Sequence, residues 1–296
     1  MFSKEAKMKR KHRPGLLFPV FFCLIFLILT ACSEKDSNEL LPERDAGESL
    51  AGTLAINTGG LMDQISDLCE FLVDDTTKFA QSLSGKYPAR YFTMHKTYDT
   101  DLKLWTITIE KSRGSMTDLP YAEIARTFTL QYKNQANEPQ KWYVTQGDTA
   151  RIVKFKIQHG NCHYYTRRIA HQLDSLSCDW TVFSANQPNV VINGTYYKAG
   201  VDTISGWNRI RNSHHVMNMY LNGLVAPRGF HSNLYASVSG SVTGTYHGQV
   251  QFTYGNGYGE TNVNRDIELL IGGGTAAVSV GNKEYTADLF RGELLD

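Results

Sequence analysis

The sequence predicts a mainly β protein: an antiparallel β-sandwich or a broad curled antiparallel sheet, with one N-terminal amphipathic helix packed on it. Three observations carry this. From Ala89 onward the apolar pattern has period two, the repeat of a strand. Glycine–asparagine pairs recur between strand-like runs, where tight hairpins need a left-handed backbone. Ahead of all of them lies a single stretch of helical periodicity.

The chain opens with Lys4, Lys7, Lys9, Arg10, Lys11 and Arg13 against one acid, Glu5, followed by an almost wholly apolar run from Leu16 to Leu29. Charged, then apolar, then small residues is the order of a secretory signal. A membrane-spanning helix fits less well, because it needs about 20 apolar residues and Pro19 interrupts this run. The run closes on Leu29-Thr30-Ala31-Cys32, which resembles the lipobox of bacterial lipoproteins. The resemblance implies cleavage before Cys32, acylation of that cysteine, no transmembrane helix and a membrane partner reached through lipid. Two or more acyl chains are what a stable anchor requires. Residue 33 is serine, not the aspartate of inner-membrane retention, so the implied address is the outer membrane, on its periplasmic or surface side. Ser33-Glu34-Lys35-Asp36-Ser37 resembles the acidic export signal of Bacteroidota surface lipoproteins, with Lys35 interrupting the acids.

Residues 32–56 read as an acidic flexible tether, with six acids facing Lys35 and Arg44 and few apolar residues to build a core. Residues 57–296 read as the β-rich domain. Its helix is expected over 58–84, on the stripe Leu61, Ile65, Leu68, Leu72, Phe79 and Leu83, with Asn57 or Thr58 as cap, Gly85 as stop, and a break at Asp74-Asp75-Thr76-Thr77. Cys69 falls within that stripe as a buried thiol.

Strands are expected around 102–109, 121–132, 141–144, 189–197, 207–221 and 234–245, with three hairpins besides. Gly160-Asn161 is expected to close the first, between 151–159 and 162–169. Asn256-Gly257 closes the second, pairing Phe252 with Thr261 and Val250 with Val263. Gly281-Asn282 closes the third, pairing Val278 with Tyr285.

Charge and composition bound the function. The leader holds six of the 30 basic residues and one of the 29 acids, so residues 32–296 carry a net charge of −4. That argues against nucleic acid as a partner, which calls for a basic footprint. Cys162 and Cys178 form either a disulfide across a short loop or a pair of buried thiols. No CxxC pair is present, His159 and His163 fall on opposite faces of their hairpin, and His214 and His215 diverge as strand neighbours. No metal site and no cofactor are therefore expected; a metal would have to draw on distant strands with His171, His231 or His247. The chain has no GxSxG, HExxH or SxxK set in a persuasive context, and Glu110, Asp118, Glu123, Glu260 and Asp266 do not declare a catalytic pair, so no catalytic residue is assigned.

Sixteen tyrosines and four tryptophans support a different use. Aromatic rings on a sheet either fill the core or stack on sugar faces. Trp207, Arg209, Arg211 and His215 alternate along one face and make the candidate ligand patch. The expected function is a non-catalytic envelope binding or interaction module, with a glycan or an envelope protein as partner. An extracytoplasmic hydrolase acting on glycans or peptides and a structural subunit of an envelope assembly are the alternatives. Asp75-Thr76-Thr77, Asp148-Thr149-Ala150, Asp174-Ser175-Leu176 and Asp202-Thr203-Ile204 resemble the O-glycosylation acceptor of Bacteroidota exported proteins.

Overall fold

Alternating strand formers build one antiparallel sheet of twelve strands, curled over two helices. The computed structural model describes residues 42–73, 92–205, 210–229, 231–254 and 257–295. In chain order come helix α1 (Pro42–Leu54) and helix α2 (Leu61–Glu70), then strands β1 (Phe92–Asp99), β2 (Leu104–Ser115) and β3 (Asp118–Lys133). Short strands β4 (Pro139–Gln140), β5 (Val144–Thr145) and β6 (Asp148–Thr149) lead into β7 (Ile152–Tyr165), β8 (Ile169–Phe183), β9 (Asn189–Ser205) and β10 (Ile210–Pro227). One helical turn, α3 (Leu234–Ser237), precedes β11 (Ser239–Tyr254), β12 (Gly257–Gly272), β13 (Thr275–Val280) and β14 (Lys283–Asp288).

The main path runs β1-β2-β3-β7-β8-β9-β10-β11-β12-β13-β14, with β4 on the end of β3 and β5-β6 as a separate hairpin. Every pairing is antiparallel and, apart from the β4–β6 excursion, follows chain order, as short connections favour. The two ends, β1 and β14, do not pair, so the sheet is curled but not a closed barrel. Its inner face carries the core, including Phe128, Phe155, Trp180, Tyr196, Met217 and Leu269. Residues 61–70 of α2 are buried on every side of the helix, as are residues 45–54 of α1. The curl is what gives a helix cover all round.

The third hairpin has the expected register, Val278 opposite Tyr285. The second is offset by two: Phe252 pairs with Gly259 and Val250 with Thr261. A shift of two preserves which side chains face inward, so the apolar pattern does not distinguish the two registers. The first expected hairpin does not exist. Gly160 and Asn161 lie inside β7, opposite Arg126 and Ala125 of β3. Here the β3–β7 register slips between Thr127 and Phe128, and the β7–β8 ladder is interrupted between Ile157 and His163. The extra residue at the slip is Gln158, so Gly160 and Asn161 sit in regular register with β3, and turn-forming residues within a continuous strand are not separated from a turn by local chemistry.

The unbroken run of β7 also decides the cysteines. Ile157, not Cys162, faces Cys178, and five residues of strand separate Cys162 from that position, about 17 Å. The expected Cys162–Cys178 bridge is absent; Cys69, Cys162 and Cys178 are all buried free thiols.

Two further corrections concern the N-terminal elements. The tether expected over 32–56 is, from Pro42 on, a buried helix: Ala46, Leu50, Ala51 and Leu54 are fully enclosed. Its acids, read as solvated, are anchors instead. Asp45 accepts from Arg211 Nε at 2.6 Å and Arg211 NH2 at 2.8 Å, and Glu48 meets Arg168 at 2.6 Å. The helix expected over 58–84 begins at Leu61 with Gly60 as its cap residue, and its regular part ends at Glu70. Thr58 is not the cap; its hydroxyl donates to the Gly52 and Ala55 carbonyls at the end of α1. Phe79, Leu83, Gly85 and the break at 74–77 lie outside the described residues, as do Cys32 and the leader. The start of the strand expected at 234–245 is helical turn α3.

Candidate functional site

Two polar networks lie beneath the helices, and one aromatic cluster lies at the β1 end of the sheet. The first network joins α2 to β2 and β3. Period two points Lys111 and Arg113 inward from β2 behind Ile107 and Ile109, and Arg126 inward from β3 between Ile124 and Phe128. They meet Asp63 and Asp67, one helical turn apart on α2. Lys111 Nζ stands 3.0 Å from Asp63 Oδ1 and also reaches Asp67. Arg113 Nε donates to Asp63 Oδ1 at 2.7 Å, and Arg126 contacts Asp63 Oδ2 at 2.8 Å and Asp67 Oδ2 at 2.6 Å. Burial alone would raise the Asp63 carboxyl, but the three cations outweigh it and hold it well below the usual carboxylate range. Glu70, one turn further, lacks such close cover. Burial, then the charge of Asp67, pushes its carboxyl up to about 8. This network is a lock between helix and sheet, with every charge engaged.

The second network crosses five neighbouring strands. Tyr164 of β7 lies opposite His171 of β8, and His171 lies opposite Asp202 of β9. His215 of β10 and Tyr246 of β11 continue the row. The rings stack in sequence: Tyr164 on His171 at 4.5 Å, His171 on His215 at 5.8 Å, His215 on Tyr246 at 5.8 Å. His171 Nδ1–H donates to Asp202 Oδ1 at 2.6 Å, and His215 Nδ1 is 3.5 Å from Asp202 Oδ2. From α1 above, the Ser49 hydroxyl donates to Asp202 Oδ2.

Glycine makes the close packing possible. A Cβ on Gly52 of α1 would stand 2.1 Å from the Tyr164 hydroxyl, and one on Gly200 would stand 2.6 Å from His171 Cε1. Lys198 is also buried here, donating to Thr53 Oγ1 at 3.0 Å with its ammonium over the Tyr164 ring. Burial lowers His171 to about 4 and lowers His215, so both imidazoles are neutral at pH 7. Burial opposes ionisation of Asp202 too, but His215, His171 and Ser49 hold it well below the usual range as a carboxylate. Lys198 is brought down to about 8 by burial. The Ser49 proton goes to the Asp202 carboxylate that His171 already bonds, and among the described residues no imidazole accepts it, so the hydroxyl is not activated as a nucleophile.

The aromatic cluster is half-exposed. Trp105 of β2 packs on Tyr98 of β1 at 5.0 Å and on Trp142, in the β4–β5 loop, at 4.8 Å. The Trp105 indole N–H donates to the Lys141 carbonyl at 2.7 Å, fixing the loop against the strand. The Lys141 ammonium lies 5.0 Å from the Tyr98 ring centre and 5.2 Å from that of Trp142, a cation–π arrangement. Beside it is a narrow cleft of about 30 Å³ lined by Phe71, Lys96, Leu130 and Tyr132 among others.

The expected ligand patch is redrawn. Arg211 and His215 do share a face of β10, but it is the inner one: Arg211 holds Asp45 of α1, and His215 is buried against Asp202. Trp207 and Arg209 lie outside the described residues. Trp180 is core, stacked on Phe155 at 5.2 Å. Glu123 is engaged with Tyr121 and His163, and Glu260 with Gln249 and Tyr258, on strands far apart in the sheet order. His214 and His215 diverge as expected, the first exposed and the second buried. Of the histidines that a metal would have to draw on, His171 is buried on β8 with His215 two strands away on β10, while His231 and His247 are exposed. Asp202, the partner of His171 and His215, was missed; its signal was Lys198, Gly200 and Asp202 at alternate positions of a strand, polar or absent side chains where the inward pattern calls for apolar ones.

Protein-family models, curated proteins and solved structures all give no match to this chain, so its sites rest on their own geometry.

Proposed function

We propose that this chain is an outer-membrane lipoprotein, held by acylated Cys32, whose sheet serves as a non-catalytic carbohydrate-binding module. The observation that carries the binding role is the cluster of Tyr98, Trp105 and Trp142, three half-buried rings gathered from two strands and a loop. Large aromatic faces kept partly in solvent suit the apolar faces of sugar rings. Lys141 and Lys96 beside them supply donors for sugar hydroxyls. The narrowness of the adjoining cleft favours a platform that meets one face of an extended glycan over a pocket that swallows a small molecule. The lipobox resemblance supports the anchor.

A glycan array probed with the delipidated protein, followed by calorimetry on the best hit, tests the binding role. Trp142→Ala is expected to weaken binding at least tenfold, about 1.4 kcal/mol, with an unchanged melting temperature. A flat signal across all sugars refutes the carbohydrate reading. For the anchor, Cys32→Ala is expected to abolish metabolic labelling with palmitate and release the protein from the membrane fraction; continued labelling would refute it.

A further inference from the structure

We propose that His171, Asp202 and His215 bind one zinc ion inside the sheet, beneath α1. The proposal stands independently of the carbohydrate platform. Three adjacent strands, β8, β9 and β10, each contribute one inward side chain, and their ligand atoms all lie within 4.8 Å of one another. His215 Nδ1 and Asp202 Oδ2 stand 3.5 Å apart. Ligands on a tetrahedron with bonds of about 2.0–2.1 Å stand about 3.3–3.4 Å apart, so this pair already spans one edge of a zinc site. His171, whose Nδ1 lies 2.6 Å from Asp202 Oδ1, offers the third ligand within 4.8 Å of the other two.

The second observation is an unmet need. The side chains of His171 and His215 are 0 % exposed, yet His171 Nε2 has no hydrogen-bond partner and His215 Nδ1 meets Asp202 Oδ2 only at 3.5 Å. Buried polar atoms are seldom left unpaired. A cation in their midst turns lone pairs without a donor into ligands. Two imidazoles and a carboxylate are the groups that bind zinc, each imidazole through one ring nitrogen with its proton on the other. The Ser49 hydroxyl on Asp202 supplies the outer hydrogen bond that orients a ligating carboxylate. Lys198 is the neighbouring cation, and its ammonium is directed to Thr53 Oγ1.

Two imidazoles and one carboxylate form a borderline donor set, which favours zinc over calcium or magnesium with their all-oxygen shells. The zinc joins β8, β9 and β10 beneath buried α1, so it is loaded as the chain folds.

Untagged full-length protein in detergent, unfolded with EDTA, refolded with excess zinc chloride and desalted, is expected to retain one zinc per chain. His171→Ala and His215→Ala are expected to retain less than a tenth of that, and Ser49→Ala to lower affinity about tenfold. The exposed-histidine variants His163→Ala and His214→Ala retain the wild-type amount. X-ray absorption at the zinc edge of the wild type decides the matter even where a variant fails to fold: outer-shell scattering from two imidazoles, with nitrogen and oxygen neighbours and no sulfur, is expected. Failure to retain zinc, a spectrum with fewer than two imidazoles, or equal loss in the exposed-histidine variants overturns the proposal.

Discussion

Asp63→Asn exposes how α2 is held. The change keeps the shape of the side chain and removes its charge. Asp63 is fully buried, with Lys111 at 3.0 Å, Arg113 Nε at 2.7 Å and Arg126 at 2.8 Å. At an effective dielectric of 20, each such contact is worth about 5–6 kcal/mol of attraction. Desolvation of each ion takes back several kcal/mol, so the attractions do not simply sum. Removing one partner, however, leaves the others buried and uncompensated, which costs about 3–5 kcal/mol. That is a large share of the roughly 5–15 kcal/mol that holds a domain folded.

Urea unfolding followed by tryptophan fluorescence measures the loss, with Trp180, buried against Phe155, as the core reporter. For a urea slope of about 2–3 kcal/mol/M, the midpoint falls by about 1–2.5 M. Adding Lys111→Met removes one stranded cation, so the double variant loses at least about 1 kcal/mol less than the two single variants together. Asp179→Asn is the control: it faces Lys156 at 3.9 Å with both side chains about 60 % exposed, and costs no more than about 1 kcal/mol. If Asp63→Asn costs no more than Asp179→Asn, or the single losses simply add, the network is not the lock described.

Two further outcomes follow from burial. Glu70 holds its proton to about pH 8 in the folded chain and releases it near its ordinary value of 4.5 when unfolded; the folded state therefore binds more protons between those values, and stability falls as pH rises through that window. His171, at about 4 folded against 6.5 unfolded, acts with the opposite sign and only below 6.5. From pH 6.5 to 8 the wild type is thus expected to lose about 2 kcal/mol through Glu70, and Glu70→Gln to lose far less, in urea midpoints read at both pH values; parallel profiles would refute this. Cys69, Cys162 and Cys178 are buried, with Cys162 pushed up to about 11, so a thiol reagent is expected to react slowly with folded protein and to count three thiols per acylated chain in denaturant without reductant. A count of one would reinstate the Cys162–Cys178 bridge.

Period two along the chain determined by itself that a sheet forms and which residues share a face, because side-chain alternation is a local property of an extended backbone. Arg211 and His215 on one side of β10, and the turn at Gly281-Asn282, were legible for that reason. Local rules also located the helical stripe from Leu61 to Leu72. They did not say which face points inward: Arg211 and His215, read as a surface patch, are inner because α1 covers them, and α1 was itself read as a solvated tether because its acids have no visible partners in sequence. Those partners, Arg211 and Arg168, are more than 100 positions away. Gly160-Asn161 lies inside a strand rather than in a turn because β3 continues to pair alongside it, a fact that belongs to the neighbouring strand. Only the curl of the sheet brought His171, Asp202 and His215 together, since three residues spread over 45 positions meet when β8, β9 and β10 lie side by side. Alternation is written into each strand; convergence depends on the register between strands and on the helix laid across them.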